Sequence, residues 1–169
     1  MKKIKCFEPI IAQDSKILIL GSIPSKKSRE SNFYYANPTN RFWKILSTLL
    51  NENLEDMSVE DKINCLLKNH IALFDVYKNC EMKTANSSLD SNIKNQKLNN
   101  IPKIIKGTNI KKVCVTSKKA YKDFYREFHD KLEKLDIEII YLPSPSSANR
   151  SKFKTDEQLI FEWKRLLNL

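Results

Sequence analysis

One stretch of the chain carries polar and aromatic groups between an apolar run and an amphipathic pattern: ILILGSIPSKKSRESNFYYANPTNRFWKIL, residues 17–46. Within it, Asn40 has the chemistry to orient a nucleophile, because its side-chain oxygen can accept a hydrogen bond from a water while its amide donates. Asn is also a preferred residue at helix N-termini, and Asn40 stands just before the amphipathic pattern. Residue type and position therefore predict a water-positioning role, a helix cap, or both.

A second stretch, LPSPSSANR at residues 142–150, combines rigid prolines with hydroxyl groups. Pro143 and Pro145 fix their φ angles, which lowers the entropic cost of ordering the loop around a ligand. Several of its side chains can donate hydrogen bonds to phosphate oxygens: Ser144, Ser146, Ser147 and Arg150. A loop of this composition is also a common turn, so phosphate binding needs support from the rest of the chain.

Several other chemistries are disfavoured by what the sequence lacks. The chain has only two glycines, Gly21 and Gly107, which are too few for a glycine-rich phosphate-binding loop, and it contains no G-x-S-x-G nucleophile motif. The histidines, His70 and His129, fall on a predicted helix end and helix face, where a hydrogen-bonded or solvent-exposed imidazole is the ordinary outcome. The sequence therefore predicts no metal site. The cysteines are too far apart for a zinc or iron–sulfur site and are predicted to be reduced thiols: Cys6, Cys65, Cys80 and Cys114.

The polar stretches are positioned by alternating strands and helices. Short apolar runs at residues 17–20, 71–77, 111–116 and 137–143 predict four strands, with helical stripes between them. The polar segment at residues 79–100 is predicted to be a long surface excursion. This alternation favours a three-layer α/β/α fold with a short, mainly parallel four-stranded sheet. The segments that follow the strands then gather at one sheet edge, where open α/β folds bind ligands: GSIPS, DVYKNC, TSKKAY and LPSPSSANR.

Composition indicates the kind of partner. The chain has 169 residues, of which 41% are hydrophobic, and its length favours a single domain over residues 1–169. A formal net charge of +10 favours a polyanion, with nucleic acid first, although a biased genome would also enrich surface lysines. Because neither a signal peptide nor a membrane-length apolar run is found, we expect a soluble, cytoplasmic protein with no membrane partner. We also expect a monomer.

Four of these segments together resemble the uracil-DNA glycosylase superfamily. They are LGSIPS, YYANPTNRFW, LFDVYKNC with the later SSLDS, and LPSPSSANR. The resemblance covers roughly residues 17–153 and is closest to the hypoxanthine-DNA glycosylase branch, followed by the mismatch-specific uracil-DNA glycosylases. It implies an enzyme that needs no cofactor, flips a deaminated base out of DNA and hydrolyses its N-glycosidic bond. Hypoxanthine is the expected base and uracil the alternative, while a non-catalytic nucleic-acid-binding module on the same fold is an alternative from another class.

The resemblance also assigns residues to the site. It makes Asn40 the residue that holds the attacking water, and it makes Tyr35, rather than Phe33 or Tyr34, the ring that stacks on the flipped base. Backbone groups of Ser22 and Ile23, together with Asp75, would contact the base. The residues expected to contact DNA lie in the first and last of the four segments: Ser25, Ser144, Pro145, Ser146, Ser147, Asn149 and Arg150.

Asp75 has two interpretations. Hypoxanthine and uracil each present a ring N–H beside a carbonyl, whereas adenine presents a bare ring nitrogen that a carboxylate would face acceptor to acceptor. A carboxylate at this position would therefore reject adenine. Because a negative charge also opposes the departure of an anionic base, a purely structural role is the other interpretation.

The chain departs from the family pattern at three positions. Ile23 stands where several relatives have the acid or amide that handles the water, which moves that role to Asn40. Leu142 stands where the family classically has a histidine that stabilises a departing pyrimidine, and this disfavours efficient uracil excision. Ser146 replaces an apolar wedge, so Asn149 or Arg150 would fill the space that the flipped base leaves.

Overall fold

The computed structural model describes residues 2–83 and 90–169. Its strands are β1 (Lys2–Lys5), β2 (Ile17–Gly21), β3 (Ile71–Asp75), β4 (Tyr77–Met82), β5 (Ile93–Leu98), β6 (Lys112–Val115) and β7 (Glu138–Tyr141). Its helices are α1 (Lys26–Ser31), α2 (Phe42–Leu50), α3 (Val59–Lys68), α4 (Ile101–Ile104), α5 (Lys118–Glu133) and α6 (Asp156–Leu167). Short 3-10 turns lie at Leu54–Asp56, Asp90–Asn92 and Ser147–Asn149.

The four predicted strands form a parallel sheet in the order β3-β2-β6-β7. Strands β2 and β3 are buried along nearly their whole length, as expected for a parallel sheet covered on both faces. Gly21 pairs with Asp75, and Leu20 pairs with Phe74 on one side and Val115 on the other. The carboxyl ends of the strands therefore lie side by side, and the predicted α/β class with its parallel four-stranded sheet is confirmed.

The helices next to this edge form where apolar residues recur at helical spacing or where capping residues begin the helix. Helix α2 buries its apolar stripe, and its fully buried Phe42 meets Trp163 of α6 edge to face with the ring centroids 6.0 Å apart. Helix α6 begins with a capping box: Thr155 Oγ1 accepts from the backbone N–H of Gln158, and the Gln158 side chain accepts from the Thr155 N–H. Among the described residues, no helix is long and apolar enough to cross a membrane.

The prediction of a surface excursion at residues 79–100 is wrong in the part that the structure describes. Strands β1, β4 and β5 form a second, antiparallel sheet in the order β1-β4-β5. In this sheet Cys80, Met82 and Ile93 are at most 3% exposed. Only one face of these strands is buried, so the apolar residues are sparse and the segment has the composition of a loop. Residues 84–89, which include most of the SSLDS segment, lie outside the described part.

Candidate active site

A cavity of about 190 Å³ opens at the carboxyl edge of the parallel sheet. The segments that follow β2, β3, β6 and β7 all contribute to its wall, as the strand alternation predicted. The 3-10 turn at Asp90–Asn92 also reaches it. Of the predicted site residues, the cavity lining contains Ser22, Ile23, Ser25, Tyr35, Asn40, Asp75, Ser144, Pro145 and Ser146.

Gly21 allows the cavity floor to be compact. A Cβ at this position would lie 2.7 Å from Asp75 Oδ1, closer than real Cβ atoms approach other heavy atoms, and 3.0 Å from the Tyr35 hydroxyl, which is a tight contact. The backbone N–H of Val76 donates to the Gly21 carbonyl at 2.8 Å, which holds the two strand ends together. The absence of a side chain at Gly21 therefore lets Asp75 and Tyr35 approach the same point.

Asp75 is a buried acid in the cavity wall. It is 4% exposed, and its Oδ2 has no hydrogen-bond partner among the described residues. Burial, reinforced by the negative charge of Asp90, raises the pKa of Asp75 to about 7. Near neutral pH both the carboxylate and the neutral acid are therefore available, so Asp75 can act as an acceptor or as a donor.

Asp90 is a site residue that sequence reasoning did not single out. Its Oδ1 accepts from the Ser22 hydroxyl at 2.7 Å, and its Oδ2 accepts from the hydroxyl of Ser117, which also caps α5. Asp90 therefore joins the exits of β2 and β6 while it lines the cavity. Asp90 lies in a polar segment without strand or helix periodicity. It belongs to the SSLDS segment, but the family resemblance of that segment assigned Asp90 no role.

The three consecutive aromatic residues are placed differently. Phe33 is 8% exposed and stacks on Trp43, while Tyr34 is 4% exposed and donates its hydroxyl to the Glu8 carbonyl at 2.7 Å. Tyr35 is half-buried and lines the cavity. One face of its ring stacks on Phe42 with the centroids 3.8 Å apart, so only the opposite face can receive a base.

The backbone of Tyr35 is unusual. Its φ angle is +50°, a conformation that a bulky residue rarely adopts without a compensating gain. Because the Thr116 hydroxyl has the Leu20 carbonyl as its acceptor, Tyr35 is the donor in the 3.4 Å contact between the Tyr35 and Thr116 hydroxyls. The stacking on Phe42 and this hydroxyl contact hold the ring in place.

Asn40 lines the cavity and also supports the start of the helix that follows it. Its Oδ1 accepts from the backbone N–H of Phe42 at 2.9 Å, so the side chain supports the start of α2. The N-cap position itself is held by Arg41, one residue later than the sequence suggested. A carbonyl oxygen has two lone pairs, so Oδ1 can also accept from a water while the amide group donates into the cavity. The water-positioning role remains a prediction.

The Ser-Pro loop after β7 is held by its carbonyl groups. The carbonyl of Pro143 accepts from the Trp163 indole at 2.9 Å, that of Ser144 from the Asn149 side chain at 3.0 Å, and that of Pro145 from the Arg41 N–H at 2.9 Å. These three bonds take up the acceptors that would repel a phosphate. The Arg41 bond also fixes the loop beside Asn40.

Two serine hydroxyls of this loop keep their own hydrogens free for a ligand. Ser144 Oγ accepts from the Ser146 N–H, and Ser146 Oγ accepts from the Ala148 N–H. Ser147 Oγ lies 3.3 Å from the Thr39 hydroxyl, whose hydrogen is donated to Asn37 Oδ1 at 3.0 Å, so Ser147 is the donor in this contact. Ser144 and Ser146 donate to no described residue and can donate to an anionic oxygen, and Ser147 can do so by giving up its contact with Thr39.

Three predicted DNA contacts lie outside the cavity lining: Ser147, Asn149 and Arg150. The Asn149 amide is used within the loop, where it donates to Ser144. Arg150 is 49% exposed and lies 3.7 Å from Asp156, whose carboxylate also contacts Lys44 at 2.6 Å. The hydrogen bond from Lys44 holds the pKa of Asp156 below its usual range. The Arg150 side chain is thus anchored at the rim and still accessible to a phosphate.

Other predicted groups have partners inside the protein. Ser25 caps α1 by accepting from the Ser28 N–H at 3.2 Å, and the Ser22 carbonyl accepts from the Tyr77 N–H at 3.0 Å. Leu142 is fully buried, so no polar side chain projects into the cavity from the residue before Pro143. The roles proposed for Ser22, Ile23 and Ser25 therefore stay predictions.

Fold and site together define the class of protein. A parallel α/β sheet presents a small cavity with one aromatic wall, a buried acid and a side-chain amide, and the rim beside it carries free hydroxyls. A planar heterocycle fits the aromatic wall and polar floor, while hydroxyl donors suit the phosphates on either side of it. This arrangement is that of a protein which takes a single base from a nucleic-acid strand.

Comparison with known proteins identifies the family. Residues 9–167 match the Uracil DNA glycosylase superfamily. The chain is 34% identical to a hypoxanthine DNA glycosylase of Methanosarcina acetivorans, over 93% of each chain. It is 32% identical to a hypoxanthine DNA glycosylase of Methanosarcina barkeri, over 92% of this chain and 93% of the relative. The chain therefore belongs to the uracil DNA glycosylase superfamily, and the resemblance of its four segments is confirmed.

A solved structure agrees with this assignment. The NMR structure of a uracil DNA glycosylase candidate from Methanosarcina acetivorans matches with a TM-score of 0.78 and 30% identity. The match covers 98% of this chain and 99% of the other. Members of the superfamily are hydrolases that cleave the N-glycosidic bond of a base in DNA, and this chain is an enzyme of that type.

Proposed function

We propose that this enzyme removes hypoxanthine from DNA by flipping the deaminated nucleotide into the cavity and hydrolysing its N-glycosidic bond. The observation that carries the proposal is the meeting of Asn40, Tyr35 and Asp75 around one cavity at the sheet edge. Tyr35 stacks on the base, Asp75 contacts its ring edge, and Asn40 holds the water. The two relatives named as hypoxanthine DNA glycosylases support the choice of base.

Uracil is the second candidate base, and it is favoured by the family as a whole. Departure of uracil benefits from a donor at the position that Leu142 occupies, and Leu142 is a fully buried apolar residue. The chain therefore lacks that means of stabilising a pyrimidine anion. We expect uracil to be removed more slowly than hypoxanthine.

The DNA strand lies along the Ser-Pro loop in this proposal. Ser144, Ser146 and Ser147 donate to the phosphates beside the flipped nucleotide, and Arg150 supplies a positive charge at the rim. We propose that the enzyme acts as a monomer. Extrusion of the base costs a few kcal/mol, less at a mismatch, so inosine opposite a poor partner is the easier substrate.

The proposal is tested with four otherwise identical duplexes that carry hypoxanthine, uracil, xanthine or adenine at one position. The expected result is strand scission after alkaline treatment with hypoxanthine first, uracil and xanthine slower, and adenine uncut. Scission with uracil first would favour the second candidate. A protein that binds all four duplexes and cuts none would favour the non-catalytic binding module.

Binding to undamaged duplex should fall steeply with salt, because the net charge of +10 implies that phosphate contacts release counterions. The logarithm of the binding constant should change by about −0.9 for each phosphate contact per unit of log salt. Arg150→Ala should reduce this slope by about one and weaken binding to all sequences alike. Fluorescence anisotropy at several salt concentrations measures both effects, and a salt-independent affinity would contradict the phosphate contacts.

A further inference from the structure

We propose that Asp75 acts as an acid in the reaction: in its neutral form it donates its hydrogen to an acceptor atom of the departing purine. The inference rests on the proposed function and specifies how the same cavity assists departure of the base. It adds to the earlier interpretation, in which an ionised Asp75 accepts from the ring N–H and rejects adenine, since both forms of the acid are present near neutral pH. It also removes the difficulty that a carboxylate would oppose an anionic leaving group.

The geometry leaves one oxygen of Asp75 ready for a ligand. Its Oδ1 faces the space above Gly21, at 2.7 Å from where a Cβ would stand. Its Oδ2 is buried and has no hydrogen-bond partner among the described residues. A buried carboxyl group without a partner is costly, and Asp75 lines the cavity, so an acceptor on a base bound there gives this group a partner that the free enzyme lacks. Asn99 holds the backbone of this residue by donating to the Asp75 carbonyl at 2.8 Å.

The charges around Asp75 favour its neutral form. The titratable groups that interact with it are Asp90, Tyr34, Tyr35 and Cys6. Burial raises the pKa of both tyrosines and of the Cys6 thiol, so these three are uncharged at neutral pH. Asp90 thus supplies the one charge in this group, and its sign opposes ionisation of Asp75. No cation among the described residues offsets it.

The atoms and electrons of the step balance. The bond between the purine nitrogen and C1′ of deoxyribose breaks, and its electron pair goes to the ring. The hydrogen of Asp75 moves to a ring acceptor, so hypoxanthine leaves as a neutral molecule. The water held by Asn40 adds its oxygen to C1′, and the proton that this water loses restores neutral Asp75. The net reaction consumes one water and leaves an abasic site.

Asp90 is the positioning residue in this scheme, since it acts on the base only through Asp75. The hydroxyls of Ser22 and Ser117 hold its two oxygens, which keeps the negative charge at the cavity wall. Replacing Asp90 with Asn removes that charge and lets Asp75 ionise at lower pH. Asp90→Glu keeps the charge and serves as the matched control.

The test is the single-turnover rate of hypoxanthine release at a series of pH values from acid to alkaline. For the parent enzyme, the rate should be constant below about pH 7 and then fall about tenfold for each further pH unit. Asp75→Asn should lower the plateau by about 10²-fold, a loss typical of a general acid, and should abolish the fall. Asp90→Asn should move the fall to lower pH, while Asp90→Glu should leave it near its parent position.

A second readout does not depend on activity. A raised pKa in the folded state means that the native protein binds the proton more tightly than the unfolded chain. The stabilising contribution of Asp75 is therefore complete below its unfolded value of 3.8 and is lost as the pH rises to about 7. The free energy of unfolding of the parent should decrease over this interval relative to that of Asp75→Asn, measured by denaturant titration.

Each outcome decides a separate point. A parent rate that is flat or rises with pH, or an Asp75→Asn rate equal to that of the parent, would overturn the acid role. If the rate of Asp90→Asn falls at the same pH as the rate of the parent, only the role of Asp90 is overturned. If the parent releases no hypoxanthine at any pH, the proposed function fails, whereas pH-independent release contradicts only the acid role of Asp75.

Discussion

Replacing Asn40 with Ala is expected to lower the single-turnover rate of hypoxanthine excision by about 10²-fold or more, a loss typical of a missing positioning group. Departure of the base leaves cationic character on the sugar, and Asn40 holds the incoming water near that carbon. The interaction is made with the water in the transition state, so the chemical step should slow more than binding. Affinity for hypoxanthine-containing DNA should barely change in the same variant.

The structure adds a second effect that must be separated from the first. Asn40 Oδ1 accepts from the Phe42 N–H, so Asn40→Ala also removes a helix-terminal hydrogen bond, at a cost of about 0.5–2 kcal/mol in stability. Asn40→Ser keeps an oxygen that can accept this bond but loses the amide. Thermal unfolding and excision are measured on both variants. A well-folded Asn40→Ser protein with the parent rate would show that another group holds the water.

Replacing Tyr35 with Leu is expected to weaken binding of the flipped base by about ten- to a hundredfold. Base stacking on an aromatic ring contributes about 1–3 kcal/mol, and a tenfold change in affinity corresponds to about 1.4 kcal/mol. Since every base has a stacking face, the loss should be similar for hypoxanthine and uracil. The measurement is the affinity for a duplex with the damaged base, compared with that for an undamaged duplex.

Tyr35→Phe is the control for this experiment. It keeps the ring and its stacking on Phe42, and it removes only the hydroxyl that donates to Thr116. Its affinity should remain near that of the parent. If Tyr35→Leu binds damaged DNA as well as the parent does, the ring face does not receive the base. The same conclusion follows if Tyr35→Phe loses as much affinity as Tyr35→Leu.

The parallel sheet was predictable because each of its strands is a continuous apolar run bounded by turn residues. Burial on both faces leaves a strong local signal, and the same reasoning brought the polar segments to one edge. The antiparallel sheet was missed because its strands bury one face, so Cys80, Met82 and Ile93 alternate with polar residues. Composition alone cannot distinguish such a segment from a loop.

The site residues differ in how much of their position and role could be predicted from the sequence. The position of Asn40 before a helix and that of Asp75 at a strand end follow from local pattern, and both residues line the cavity. The role of Asp90 does not, because its contacts with Ser22 and Ser117 span 68 and 27 residues of the chain. The raised pKa of Asp75 is likewise a property of tertiary burial.

The central claim is that one cavity at the sheet edge removes a deaminated purine intact from DNA. The most direct measurement is mass-spectrometric quantification of the free base released from a duplex with a single hypoxanthine, together with the abasic strands formed. The account predicts one hypoxanthine for each abasic strand with the parent enzyme, and about 10²-fold slower release with Asn40→Ala. Release of no free base, or equal release by both proteins, would contradict it.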